Sequence, residues 1–224
     1  MNAVIARTTT TPILNSLLNF TENNKFECIN IANIYEIDLG VLYIFMQKLK
    51  NEDLNRLSEE GYKNAQKTPI VIVLDNIRSL HNVGSAFRTA DAFLIEKIYL
   101  CGVTGCPPNK EIEKTALGAT KTVEWNSTKS TIDAIKELKK HGYKIISVEQ
   151  ADKSTKLHQF KIKSEEKIAL VFGNEVYGVE QEVVDESDVV LEIPQLGSKH
   201  SFNVSVSIGI VLWQLVTERI ANEN

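Results

Sequence analysis

The stretch Pro69-Ile70-Val71-Ile72-Val73-Leu74-Asp75-Asn76-Ile77-Arg78-Ser79-Leu80-His81-Asn82-Val83-Gly84-Ser85-Ala86-Phe87-Arg88-Thr89-Ala90 decides the fold. Its first six residues are an unbroken apolar run rich in β-branched side chains, as expected of a strand buried on both faces. Small and polar residues then end the strand, and a helix is predicted over 83–93. A buried strand running straight into a helix is half of a βαβ unit. Such units build parallel sheets covered by helices.

The alternation continues downstream. Strands are expected over 97–101, 122–125, 143–148, 168–172 and 189–193. A short helix or loop is expected over 110–117 and a short helix over 180–186. Ser130-Thr131-Ile132-Asp133 resembles a helix start with an acidic third residue. Ile132, Ile135 and Leu138 give that helix an apolar face, and Gly142 ends it. A last helix spans 203–221, with Ser201 or Asn203 near its N-cap. The class is α/β, a mostly parallel sheet flanked by helices, over a domain of residues 68–224.

Residues 1–67 read as an N-terminal extension and helix. Positions 1–45 are rich in Asn and Thr and show no clean period, and 41–45 is apolar but isolated. From Met46 an exposed helix is expected, ending near Lys67. Met46 is also an alternative natural start, with 1–45 an upstream extension.

A chain of 224 residues with 43% hydrophobic and 24% charged residues supports one good core. Its net charge of −4 gives no overall basic footprint for nucleic acid, although a local patch suffices. Cys28, Cys101 and Cys106 show no paired spacing and read as reduced thiols of a cytoplasmic protein. No metal site and no secretory signal is expected. The apolar run 204–216 is broken by Ser205, Ser207 and Gln214 and reads as too short and too polar to cross a membrane.

Three segments hold the residues suited to chemistry. Asn82, Gly84 and Arg88 follow the first strand, at the carboxyl edge where α/β sheets bind ligands. Taken alone, they also fit a helix cap and a surface ion pair. Phe172-Gly173-Asn174-Glu175 follows the 168–172 strand, and Gly173 permits close backbone approach. Ile193, Pro194 and Gly197 lead to Ser201, Phe202 and Asn203, two polar side chains at a helix N-terminus where orphan N–H groups point outward. No G-x-G-x-x-G follows any strand, so a dinucleotide site is not expected.

Together the three segments resemble the signature motifs of the SpoU, or TrmH-like, RNA 2′-O-ribose methyltransferases of the SPOUT superfamily. Asn82, Gly84, Arg88, Thr89 and Ala90 match the first motif, and Gly173, Glu175 and Gly178 the second. Ile193, Pro194, Gly197, Ser201, Asn203, Val204 and Ser205 match the third, with Phe202 in place of the usual Leu. The likeness covers roughly residues 69–217.

The resemblance implies a deep C-terminal trefoil knot and a homodimer with the last helix and the first motif at its interface. It implies S-adenosylmethionine as cofactor, held by Val148, Glu149, Phe172, Gly173, Ile193, Leu196 and Phe202. The implied activity is methyl transfer to a ribose 2′-hydroxyl in tRNA or rRNA, with Arg88, Asn82, Glu175, Ser201 and Asn203 catalytic and no metal required. The resemblance implies that Arg88 helps to deprotonate the 2′-hydroxyl; because a free guanidinium is a poor base, phosphate holding and charge stabilisation is the preferred role, and base and stabiliser stay open alternatives. Arg78, Lys110, Lys114, Lys121, Lys199 and His200 flank the motifs as candidate RNA contacts. The alternative is an RNA-binding or assembly protein that has kept the fold and lost catalysis.

Overall fold

The computed structural model describes the backbone of residues 34–37 and 41–44 and the chain over 48–163 and 165–222. It divides into two compact units, Met1–Asn55 and Arg56–Asn224. In the first, strand β1 (Ile34–Ile37) pairs antiparallel with β2 (Val41–Ile44). Residues 41–44 of that apolar run therefore have a partner just upstream, and residue 45 lies outside the described residues. The helix expected from Met46 to Lys67 is not continuous. A 3-10 turn at Asn51–Leu54 ends in the left-handed conformation at Asn55 (φ 40°), which Asn tolerates better than most residues. A separate helix α1 (Glu59–Asn64) begins after Ser58, whose hydroxyl accepts the Gly61 N–H at 3.0 Å.

The second unit is built on seven strands: β3 (Thr68–Asp75), β4 (Ile95–Cys101), β5 (Glu124–Thr128), β6 (Lys144–Val148), β7 (Thr155–Lys156), β8 (Ile168–Phe172) and β9 (Val189–Glu192). Their order is β5-β4-β3-β8-β6-β9-β7, and every neighbouring pair is parallel. β5 starts later than the expected 122–125, because a 3-10 turn at Ala119–Lys121 first satisfies the Thr122 and Val123 N–H groups at Ala119. The two-residue β7 is too short to leave a period in the sequence.

Along β3, Ile70, Ile72 and Leu74 pack into one core layer and Val71 and Val73 into the other. The first layer holds α2 (Leu80–Ala92), α3 (Lys110–Ala116) and α6 (Val204–Asn222), through Phe87, Ile112, Ile208 and Leu212. The second holds α4 (Thr131–Lys140) and α5 (Gln181–Asp185), through Ile135, Leu138 and Val183. Period-2 burial on both faces is why these strands read as continuous apolar runs. α2 starts one turn earlier than expected because Ser79, not Asn82, is its cap, accepting the Asn82 N–H at 3.3 Å. Gly84 then lets α3 approach. A Cβ there would stand 2.1 Å from the Thr115 hydroxyl and 2.2 Å from the Ile112 carbonyl.

α6 corrects the membrane reading in one respect. It is longer than the apolar run, and Val204–Ala221 is long and apolar enough to cross a membrane by length and composition alone. Val204, Ile208, Val211, Leu212 and Leu215 are nonetheless buried in the core, which is sufficient reason for an apolar helix.

Candidate active site

Because all seven strands run the same way, their carboxyl ends share one edge. The segments that leave β6, β8 and β9 there, with the start of α6, enclose a cleft of about 310 Å³, at the lower end of ligand-pocket sizes. Val148, Glu149, Phe172, Gly173, Ile193 and Phe202 line it, as does Ser201. Leu196, expected among the cofactor contacts, is fully exposed and outside the lining; its neighbour Gln195 takes the wall position. Gln150, Asn174, Tyr177, His200 and Ser207 also face the cleft. The sequence had named none of these five as cofactor contacts, although Asn174 and Tyr177 lie within the second motif and His200, a candidate RNA contact, within the third.

Three of the five residues expected to be catalytic are joined by hydrogen bonds across large sequence distances. The Asn82 amide donates to Glu175 Oε1 at 3.0 Å. The Asn203 amide donates to Asn82 Oδ1 at 3.2 Å. Asn203 Oδ1 in turn accepts the Ser205 N–H at 2.9 Å and the Ser205 hydroxyl at 2.6 Å, capping α6. One residue from each motif thus meets at Asn82. Arg88 is not in this chain. It is exposed on α2, outside the cleft lining, and its guanidinium has no hydrogen bond or ion pair among the described residues.

The loop carrying Glu175 is held from below. Asn174 and Gly178 exchange backbone hydrogen bonds, both 2.9 Å, closing a tight turn. The Asn174 side chain donates to the Asn76 carbonyl at 2.8 Å and accepts the Val176 N–H at 2.9 Å. The close approach that Gly173 permits is to its own chain, since a Cβ would lie 2.1 Å from both Gly178 C and Val179 N. Glu149 closes the other side, with Oε2 accepting the Val179 N–H at 3.0 Å and Oε1 the Gln150 N–H at 2.8 Å. Asp75, at the ligand-binding edge by sequence, points inward instead. It is fully buried and accepts the Thr131 hydroxyl at 2.6 Å and the Glu180 N–H at 3.0 Å. Beside it, burial raises the Cys101 thiol to about 12, which keeps that sulfur protonated and inert.

The charge around the cleft is uneven. Its lining contains Glu149 and Glu175 but neither lysine nor arginine. Arg78, Lys110, Lys114, Lys121 and Lys199 are all exposed outside it. Of these, Lys114 shares its charge with Glu111 at 2.7 Å, and His81 contacts the same carboxylate at 3.0 Å.

A profile of the SpoU rRNA Methylase family matches residues 69–213. The 23S rRNA (guanosine-2′-O-)-methyltransferase RlmB of Neisseria meningitidis is 30% identical over 162 residues, 72% of this chain and 64% of its own length. The chain thus spans just under two thirds of that relative. Among solved structures, the A. aeolicus TrmH/SpoU tRNA modifying enzyme superposes with a TM-score of 0.65 at 27% identity, covering 74% of this chain and 82% of that one. The AdoMet-bound rRNA methyltransferase from Sinorhizobium meliloti gives 0.61 at 27% identity, covering 71% and 60%.

Proposed function

Since the chain belongs to the SpoU rRNA methylase family, we propose that it transfers a methyl group from S-adenosylmethionine to a ribose 2′-hydroxyl of tRNA or rRNA. The observation that carries this reading is the meeting of Asn82, Glu175 and Asn203 at the rim of one strand-end cleft. Three short motifs spread over 121 positions have no structural need to converge on a solvent-facing point.

The cleft suits the cofactor by its chemistry. Val148, Phe172, Ile193 and Phe202 offer apolar walls for a purine, and two carboxylates with no opposing Lys or Arg suit a cationic sulfonium. That sulfonium supplies the methyl group and its own leaving group. The protein's task is alignment, bringing the 2′-oxygen in line with the methyl carbon. Asn82, Glu175, Ser201 and Asn203 orient the ribose. Arg88, exposed and without a partner among the described residues, grips the neighbouring phosphate and stabilises the developing alkoxide. Arg78, Lys110, Lys121 and Lys199 extend the same electrostatic surface to the RNA, and the protein would meet such a substrate in the cytoplasm.

The segment 193–203 returns from β9, beyond β6, across the strand ends towards the face that carries α2 and α6. On the way it passes the 148–150 and 173–178 loops, and the Gln150 amide donates to the His200 carbonyl at 2.6 Å. We read this return as the threading of a deep trefoil knot, a rare arrangement. The test of the function is direct. Calorimetry should detect S-adenosylmethionine binding without RNA, and unmodified total RNA should accept tritiated methyl groups that map to ribose 2′-positions. Cofactor binding with no transfer to any RNA, or methylation confined to bases, would refute the reading.

A further inference from the structure

The loop after β8 is exposed at its tip and yet tightly tied. Asn174 and Gly178 are paired by two backbone hydrogen bonds of 2.9 Å. Asn174 Oδ1 accepts the Val176 N–H at 2.9 Å and the Tyr177 N–H at 3.2 Å, and the Asn174 amide anchors the turn to the Asn76 carbonyl at 2.8 Å. Gly173 and Gly178 let the turn close on itself and on Glu149. A Cβ would stand 2.1 Å from the Gly178 carbonyl carbon in the first case and 2.2 Å from Glu149 Oε2 in the second. The backbone that carries Tyr177 is therefore held in place.

The side chains at the tip are apolar and stand in water. Val176 is 73% exposed and Tyr177 79%. The Tyr177 ring and hydroxyl make no hydrogen bond, aromatic contact or cation–π contact among the described residues. Single exposed apolar residues are ordinary, but this pair is set apart by its place. It lies inside the turn that holds Glu175, whose carboxylate accepts the Asn82 amide at 3.0 Å. Two residues of chain span at most about 7 Å, so the Tyr177 backbone is that close to Glu175. Two side chains on one turn are too few for a protein interface, whereas one aromatic face is enough for a nucleobase.

We propose that Tyr177 is the platform on which the base of the target nucleotide stacks, an inference that rests on the methyltransferase reading above. The base is joined to the ribose carbon next to the one that bears the 2′-oxygen. A ribose held at Asn82 and Glu175 therefore brings its base within reach of an aromatic ring on the same turn. The cleft lining has no lysine or arginine, so the phosphates pass outside it and the base is the part of the nucleotide that turns towards it. The substrate class follows. Inside a duplex each face of a base is covered by its neighbours, and it becomes free only when the nucleotide is unpaired or swung out. The enzyme thus acts on nucleotides in loops, bulges or single strands, and it tolerates different bases there because every base has a π-face.

The first measurement is RNA binding without cofactor, so that no change in cofactor affinity enters it. The probes are a single-stranded RNA of mixed sequence and the blunt duplex it forms with its complement. Phosphate contacts serve both, whereas a free base face exists only in the first. Wild type should favour the single strand. Tyr177→Ala and Tyr177→Leu should lose about 5- to 100-fold in single-strand affinity and keep their duplex affinity, while Tyr177→Phe, which retains the ring, should stay within about threefold of wild type. The second measurement is tritiated methyl transfer to unmodified total RNA, at cofactor levels saturating for each protein. There kcat/KM for RNA should fall in Tyr177→Ala and Tyr177→Leu and be retained by Tyr177→Phe. A wild type with no single-strand preference, a Tyr177→Leu protein equal to Tyr177→Phe, or equal losses on both probes overturns the stacking role. A loss confined to cofactor affinity gives Tyr177 to the cofactor and overturns it too. If wild type shows the preference, Tyr177→Ala loses it, and neither methylates any RNA, the methyltransferase reading fails and the base contact survives as an RNA-binding site.

Discussion

Arg88 and Asn82 sit six positions apart on one helix and do different work. Asn82 is tied to the other two motifs, whereas Arg88 faces solvent with no protein partner among the described residues. Arg88→Ala should therefore lower methyl transfer by about 10²–10³, the usual effect of removing a preorganised charge from a developing oxyanion. Cofactor affinity should stay nearly unchanged, because the cleft lining does not include Arg88. Arg88→Lys should not restore the rate, since lysine lacks the bidentate fork. Tritium transfer with parallel calorimetry checks this; a proportional loss of affinity would mean that Arg88 serves the cofactor instead. At this scale the sequence was legible where a motif named the residue. It was not where a partner was decided by folding. Nothing local to Asp75 says that its carboxylate turns inward to Thr131, and nothing local to Gln150 says that it will meet the His200 carbonyl.

Elements were readable to the extent that one physical signal fixed each of them. β8 coincides with the expected 168–172 because both of its faces are buried, and α4 begins at Thr131 because Ser130 caps it, accepting the Asp133 N–H at 3.2 Å. The 46–67 helix failed because composition suggests a helix without marking the turn that interrupts it at Asn55. The edge of the sheet shows what else the sequence concealed. β7 is pinned to β9 by Lys156, which lies 2.5 Å from the Glu192 carboxylate, and by Ser154, which donates to it. The Lys156 ammonium, and then the Ser154 hydroxyl, hold Glu192 below its ordinary value of 4.5. A lowered folded value means that the unfolded chain takes up the proton first. The contribution to stability is therefore complete above 4.5 and disappears as pH falls through the lower folded value. Glu192→Gln should lower the melting temperature at pH 7 by up to about 4 °C, as suits a partly exposed ion pair. The difference from wild type should close in acid. Melting curves at pH 7 and at successively lower pH test this, and a gap that widens in acid would contradict the sign.

At the scale of the whole molecule, α6 has two apolar sides and only one of them is used by the fold. Ile208, Val211, Leu212 and Leu215 are buried against the sheet and α2. Val206 is 48% exposed and Trp213 63% exposed. Their seven-residue spacing returns to nearly the same side of a helix, with half-buried Ile210 between them. A largely apolar hollow lies alongside, lined by Pro69, Phe93, Leu94, Val216 and Trp213 itself, with Lys67, Glu165 and Arg219 also in its wall. A surface that offers both an exposed tryptophan and an apolar recess next to it suits a two-fold contact, in which each copy presents the same patch to the other. The chain should therefore be a homodimer at micromolar concentration. Trp213→Glu places a charge at the centre of that patch and should give a monomer with unchanged helix content, because the Trp213 side chain is largely outside the core. Light scattering and circular dichroism on both proteins decide the matter. A monomeric wild type would leave the exposed stripe unexplained by self-association. A Trp213→Glu dimer would move the interface to another face, and the outer side of α6 would then remain free for RNA.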